Sequence, residues 1–367
     1  MATTFIAPSL RRHPQRFPCP DNADESALQS AHRIASRWGS HGLTYMGLRE
    51  ENRILFSTEG TACIGYVTVA GSAVALGPPC GPRDAAIDLL RLFRSACQRE
   101  SLRAVLCGLS EEHASAAENV GFRITSVGDE AVIDLAGVDL RGKHWREVRA
   151  ALNRAGRKDV TFRWIEPEAR TPSLQGKLGD VSRLWLTEKR VLELGFALGS
   201  MAALADPAIR LGVAIGATGD IEGFASWIPA PASGGWMLEM LRYRPHIMAG
   251  MADLLVASSL LGFREEGVRQ VSLSGTPLAG GSPHGLTFRS LLRSLLAPAR
   301  HLYNFEGLRH FKEKFNPSWR QLYIAHSGAA GLPHALWSIA RACAPNLSLP
   351  TFARLTLATL VPHSANR

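Results

Sequence analysis

The chain has 367 residues, 46% of them hydrophobic and 20% charged, which excludes disorder along its whole length and leaves enough apolar surface for two domains with a core each. Its longest uncharged stretch, residues 60–82, is broken by five glycines and three prolines, so no membrane-spanning helix is expected. A net charge of +9 directs attention to polyanionic partners, nucleic acid or an anionic membrane surface, although many proteins are basic for no specific reason.

Residues 1–24 are rich in Pro and Arg and carry neither a helical nor a strand period, so a disordered arm is expected. The apolar positions Leu28, Ala31, Ile34, Ala35 and Trp38 recur at helix spacing over 26–38. Short strands are expected at 54–56, 64–69 and 73–76, the last stopped by Gly77-Pro78-Pro79. A helix at about 84–99 follows, then a strand at 104–107, a helix at 111–120 and a pair of strands within 122–135. After Glu166-Pro167 the order roughly repeats. Helices are expected at about 177–194 and 248–266, with strands at 211–216, 223–228, 236–243 and 268–273. Helices at 286–296 and 303–314 and a strand at 321–325 close the second half. Helix, antiparallel meander, long helix, strand, helix, strand, twice over, predicts an α+β fold of two domains with the order of N-acetyltransferase folds.

The six cysteines (Cys19, Cys63, Cys80, Cys97, Cys107, Cys343) have no zinc-ligand or redox spacing, so they read as buried thiols of a reducing compartment. No secretory signal is evident. The expected location is cytoplasmic, with a peripheral position at the inner membrane face left open.

Between the halves, residues 141–158 hold seven Lys or Arg against one Glu, so six of the nine net positive charges sit in eighteen residues. On a helix Lys143, Arg146, Arg149 and Arg157 share one broad face, and Trp145, Val148, Ala151 and Leu152 occupy the other. Such a helix suits a phosphate backbone, and a merely solvated face is the plainer alternative. With Arg154 and Lys158 these residues form the expected tRNA-binding set.

Several strings resemble one known family. They are Leu76-Gly77-Pro78-Pro79-Cys80-Gly81, Gly128-Asp129-Glu130-Ala131-Val132-Ile133-Asp134-Leu135 and the connector ending in Leu152-Asn153-Arg154. The second half adds Lys189-Arg190 through Gly195-Phe196-Ala197-Leu198-Gly199, Leu238-Glu239-Met240-Leu241-Arg242-Tyr243-Arg244-Pro245 and Leu273-Ser274-Gly275-Thr276-Pro277-Leu278-Ala279-Gly280. The long run Tyr303-Asn304-Phe305-Glu306-Gly307-Leu308-Arg309-His310-Phe311-Lys312-Glu313-Lys314-Phe315-Asn316-Pro317-Ser318-Trp319 matches its closing signature. Over about residues 30–328 the chain resembles the catalytic module of phosphatidylglycerol lysyltransferases, of the multiple peptide resistance factor family.

The resemblance implies two tandem N-acetyltransferase-like domains, 25–140 and 167–328, joined by a basic connector helix at 141–166 and followed by an apolar tail at 329–367. The tail is expected to cap the second domain or lie on a bilayer. The implied activity is transfer of an amino acid, lysine or alanine, from aminoacyl-tRNA to a hydroxyl of phosphatidylglycerol or a related lipid. A small-metabolite acceptor and an inactive tRNA- or membrane-binding module are the alternatives. The donor ester is already activated, so no cofactor and no metal are expected. The acetyl-CoA signature is poorly matched at 244–250, so acetyl-CoA is not expected either.

By the same resemblance Glu239, Arg242, Glu306 and Lys314 form the catalytic set, with Glu239 base-like and Arg242 on a phosphate. Three apart on a strand, Glu239 and Arg242 face opposite sides unless the strand is bulged; a structural ion pair is the alternative. Arg244, Ser274, Gly275, Thr276, Arg309 and Lys312 form the substrate-binding set. The glycine-rich loop after the strand can present N–H groups to an oxyanion or serve as a plain turn. Arg309 and Lys312 share a helical face that is either functional or salt-bridged. The sequence departs from the family pattern at Pro78 and Glu239, both of which replace Asp, and the large membrane-embedded domain of many members has no counterpart in it.

Overall fold

The computed structural model describes residues 26–189, 199–277, 305–328 and 331–343. The expected arm at 1–24, residues 190–198 of the glycine-centred segment, the helix expected at 286–296 and the tail beyond Cys343 lie outside the described residues.

Helix α1 (Ala27–Trp38) starts on a capping box, in which the Ser26 hydroxyl accepts from Gln29 N–H at 3.2 Å and the Gln29 amide oxygen accepts from Ser26 N–H at 2.9 Å. A short α2 (Gly42–Gly47) follows, then β1 (Arg53–Phe56), β2 (Cys63–Val69) and β3 (Ser72–Leu76) as an antiparallel meander. Helix α3 (Arg83–Arg99) crosses over to β4 (Arg103–Leu109), parallel to β3, and α4 (Glu111–Asn119) leads to β5 (Arg123–Asp134). The connector helix is α5 (Arg146–Arg157). The second half contains β6 (Thr161–Ile165), α6 (Pro172–Lys189), β7 (Arg210–Ile215), β8 (Ile221–Ala230) and β9 (Gly235–Tyr243). Helix α7 (Met251–Glu265) then crosses over to β10 (Gln270–Pro277), parallel to β9, and α8 (Phe305–Glu313), β11 (Ser318–His326) and α9 (Gly331–Cys343) follow. This is the α+β, twice-repeated N-acetyltransferase-like order expected from the sequence.

The eleven strands among the described residues form one sheet, in the order β1-β2-β3-β4-β11-β5-β10-β9-β8-β7-β6. The last strand, β11, is inserted antiparallel between β4 and β5 of the first half, and β5 pairs on its other edge with β10 of the second. One face of the sheet carries a continuous core, in which Ile34 of α1, Tyr45 and Met46 of α2, Val181 of α6 and Leu336 of α9 meet residues of both halves. The opposite face carries two cores, one under α3 and α4 and one under α5 and α7.

Three differences from expectation have physical causes. Residues 123–134 form one strand, not two, because the irregularity before Gly128 is a bulge opposite Leu322 and Tyr323 and not a turn. Helix α2 is six residues bounded by glycines, too short for a period to show, and is held by packing on β2, β3 and β8. The connector's last residues form the edge strand β6, and Lys143 lies in the turn before α5 and not on the helix.

Candidate functional site

Strand β9 pairs with β8 through Trp227–Leu238 and Ser226–Met240, which leaves Glu239 as an extra residue between two pairs. That bulge resolves the alternation problem. Met237 and Met240 both face the continuous core, and Glu239 and Arg242 join them on that face.

The Glu239 side chain is 0% exposed. Arg49, just after α2, donates from Nη2 to Oε1, and the Ser226 hydroxyl donates to Oε2 at 3.0 Å while accepting the Met240 N–H at 3.1 Å. Burial pushes the Glu239 carboxyl above its ordinary range; Arg49 and Ser226 pull against it and Asp206 adds to it. Gly199 closes over the carboxylate: a Cβ there would lie 2.8 Å from Glu239 Cγ, and its φ of +76° already favours glycine. Nearby, the Tyr45 hydroxyl donates to Asp206 Oδ2 at 2.7 Å, and burial with that acceptor pushes the phenol well up, so it stays a donor. Buried Arg170 holds the Asp206 loop through the carbonyls of Leu204, Asp206 and Ile209. The Arg242 guanidinium is buried and lies 4.2 Å from the Trp185 ring centroid.

Strands β9 and β10 pair only as far as Met237 and Ser272, so they part just beside the Glu239 bulge. Beyond that point Ser274 has φ +67° and donates its hydroxyl to the Leu238 carbonyl, while β10 shifts register and continues on β5. Lys312 of α8 is 2% exposed and spends all three donors here, on Ser274 O (2.8 Å), Gly275 O (3.0 Å) and Thr276 Oγ1 (3.0 Å). Burial lowers its ammonium to about 7. Residues 274–276, the described start of the glycine-rich segment, are therefore held by Lys312, and Ser274, Gly275, Thr276 and Lys312 form one assembly.

A second buried carboxylate lies one strand further along. His41 caps α2 by accepting Leu43 N–H on Nδ1 at 3.1 Å, which leaves Nε2 facing Glu130 of β5 at 2.9 Å. Ser272 donates to the same Glu130 oxygen at 2.5 Å. Burial alone would raise Glu130, but His41 and Ser272 outweigh it and hold the carboxyl down to about 2.

Residues 32–326 match the family model described as phosphatidylglycerol lysyltransferase, C-terminal. The chain belongs to this family. It is 28% identical to a Bacillus subtilis phosphatidylglycerol lysyltransferase over 92% of its own length but 39% of the relative's. An uncharacterized Corynebacterium glutamicum protein is 27% identical over 94% of this chain and 44% of the relative. The chain thus spans about two fifths of the curated relatives it matches. Among solved structures, L-PGS from Bacillus licheniformis superposes with a TM-score of 0.76 at 25% identity, covering 86% of this chain and 96% of that one. A C-terminal domain from Agrobacterium fabrum, described as from a lysylphosphatidylglycerol synthetase, gives 0.75 at 26% identity, covering 87% and 98%.

The remaining family-signature residues are distributed more widely. Lys314 pairs with Asp253 at the start of α7, in the core opposite to the Glu239 face. Arg244 donates from Nε to the Ile221 carbonyl at 2.9 Å and lies 3.7 Å from Glu222. Arg309 bridges Asp129 (3.3 Å) and Glu313 (3.0 Å) and stacks on Trp319 at 4.2 Å. The Glu306 side chain lies outside the described residues.

On the connector, Trp145, Val148 and Ala151 are buried as expected, with Leu152 partly so. Arg149 donates to the Leu140 and Gly142 carbonyls, Arg154 to Ala249 O and Lys158 to Ile247 O. Exposed Lys143, Arg146 and Arg157 make no such bond among the described residues. Sequence reasoning missed Arg49, Tyr45, Ser226 and Asp206, which come from three separate segments with no motif. His41 and Glu130 were missed too, although a carboxylate before the apolar run Ala131-Val132-Ile133 is a signal of a buried charge.

Proposed function

We propose that this chain is the catalytic module of an aminoacyl-tRNA-dependent transferase that moves lysine or alanine onto a hydroxyl of phosphatidylglycerol. The observation that carries this reading is the bulge that sets Glu239 beside the parting of β9 and β10, on one face with Arg242. The names of the family and of the relatives supply the substrate class. In this reading the acceptor hydroxyl attacks the ester carbonyl while Glu239 takes its proton, and N–H donors near the parted strands stabilise the tetrahedral oxyanion. The C–O bond to the terminal ribose then breaks, and the proton returns to the leaving ribose oxygen. Arg242 contacts a phosphate, and exposed Lys143, Arg146 and Arg157 of the connector region meet the tRNA backbone.

The test is incubation with tRNA charged with isotopically labelled lysine or alanine and with phosphatidylglycerol vesicles, followed by mass spectrometry of the lipid fraction. A labelled aminoacyl-phosphatidylglycerol is expected. Label appearing only in water-soluble products would replace the lipid by a small acceptor, and no transfer from any charged tRNA would overturn the reading.

A further inference from the structure

Glu239 belongs to the second half, but its ionic partner does not. Arg49 comes from the segment after α2 in the first half, and α2 itself packs on β8. The guanidinium side chain is 13% exposed and its acceptor is fully enclosed, so water competes little for either. A carboxylate in such surroundings is strongly disfavoured unless it is paired and hydrogen-bonded, and Ser226 gives it one neutral donor. The groups facing Glu239 from the elements packed around it are Arg49, Ser226 of β8, the Tyr45–Asp206 pair and, on its own strand, Arg242. Arg49 is a cation bonded directly to the carboxylate.

We infer that Arg49 is a positioning residue for Glu239: the first half supplies the charge that orients the carboxylate of the second, so the site is built across the seam between the halves. This rests on the transferase reading for its kinetic consequences, but not for the pair itself. As a proton acceptor Glu239 must be anionic before the acceptor hydroxyl arrives, and Arg49 favours that form.

The experiment compares wild type, Arg49→Met, Arg49→Lys, Glu239→Gln and the Arg49→Met/Glu239→Gln double variant. The first readout is the pH dependence of transfer from charged tRNA to phosphatidylglycerol vesicles. The second is a carbon-13 NMR titration of glutamate carboxyls in the full chain, with Glu239 assigned by its loss in Glu239→Gln.

Arg49→Met is expected to lower kcat by about 10²-fold, leave the KM for charged tRNA within about twofold and move the acidic limb upward by about one pH unit or more. The Glu239 titration should move by the same amount. Arg49→Lys should recover most of both, and the double variant should be no slower than the slower single. A Glu239 titration unmoved in both Arg49 variants overturns the inference, as does a double variant whose losses multiply. If wild type transfers nothing, the transferase reading fails while the titration still decides the pair.

Discussion

The two parallel strand pairs occupy matching places in the repeat, yet one is filled and the other is furnished. In the first half β3 and β4 stay paired to Leu76 and Cys107, and α2 covers their ends. The Leu43 side chain lies where a Cβ on Gly108 would be, and a Cβ on Gly77 would lie 2.5 Å from the Thr44 backbone nitrogen. Pro78, whose carbonyl accepts from the Thr44 hydroxyl at 3.1 Å, stands where the family pattern has Asp. In the second half β9 and β10 part early, a bulge turns Glu239 inward, and Lys312 pins the departing strand. Among the described residues the two pairs therefore end differently, one under a short helix and the other beside a bulge. The first half places the Leu43 side chain over its own strand pair and Arg49 on the carboxylate of the second half.

The largest expected effect falls on the furnished side. Glu239→Gln keeps the size and removes the base, so transfer should drop by about 10²–10⁴-fold with the fold intact, as read by the lipid mass-spectrometric assay and circular dichroism. Glu239→Asp should lose less, since the family pattern carries the shorter acid there. Near-normal turnover in the Gln variant would remove Glu239 from the chemistry and with it the functional contrast between the two strand pairs.

Paired glycine substitutions sharpen the contrast further. Gly199→Ala presses on Glu239 and should lower transfer by about 10²-fold through misplacement, with little change in tRNA affinity. Gly108→Ala, at φ +76°, instead displaces the Leu43 plug and should cost about 1–3 kcal/mol of stability in urea unfolding. An activity loss in the second variant as large as in the first would show that the first-half pair takes part in chemistry.

The connector gives a milder test. Lys143, Arg146 and Arg157 replaced together by Ala should weaken tRNA binding and reduce its salt slope by about one per lost contact. An unchanged slope would leave α5 as a strut between the halves.

The pin is tested through pH and stability, not through turnover. Lys312 titrates at about 7 when folded against an ordinary value of 10.5, so the unfolded chain binds more protons between those values and stability should rise with pH across that window. Below about 7 both states are protonated and the dependence flattens. Lys312→Met should abolish the rise, as measured by urea midpoints at pH 7 and 9.5.

Element order was legible because the apolar periods of α1, α3, α5 and the strands are set locally by burial on one face. The site was legible only where a motif marked it. Glu239 and Arg242 stood in one string, but the bulge that unites them depends on pairing with β8, which no local pattern records. Arg49, Ser226 and Asp206 reach Glu239 from segments far apart in the chain, so only the assembled sheet brings them together. Lys314 shows the reverse case. It stands in the closing signature, two residues from the pin, yet it lies in the turn after α8 and pairs with Asp253 of α7, away from the Glu239 face.

The insertion of β11 between β4 and β5 has a consequence for how this molecule comes into being. Its nine residues, 318–326, must find partners at 105–109 and 123–132, roughly two hundred positions earlier. During synthesis, therefore, the first half emerges with a slot in its sheet that nothing yet made can fill, and its β5 edge stays open to wrong partners until β10 and β11 have left the ribosome. Closure by so distant a segment is entropically slow. The two halves that look like separable repeats mature as one unit, locked by the last strand to arrive.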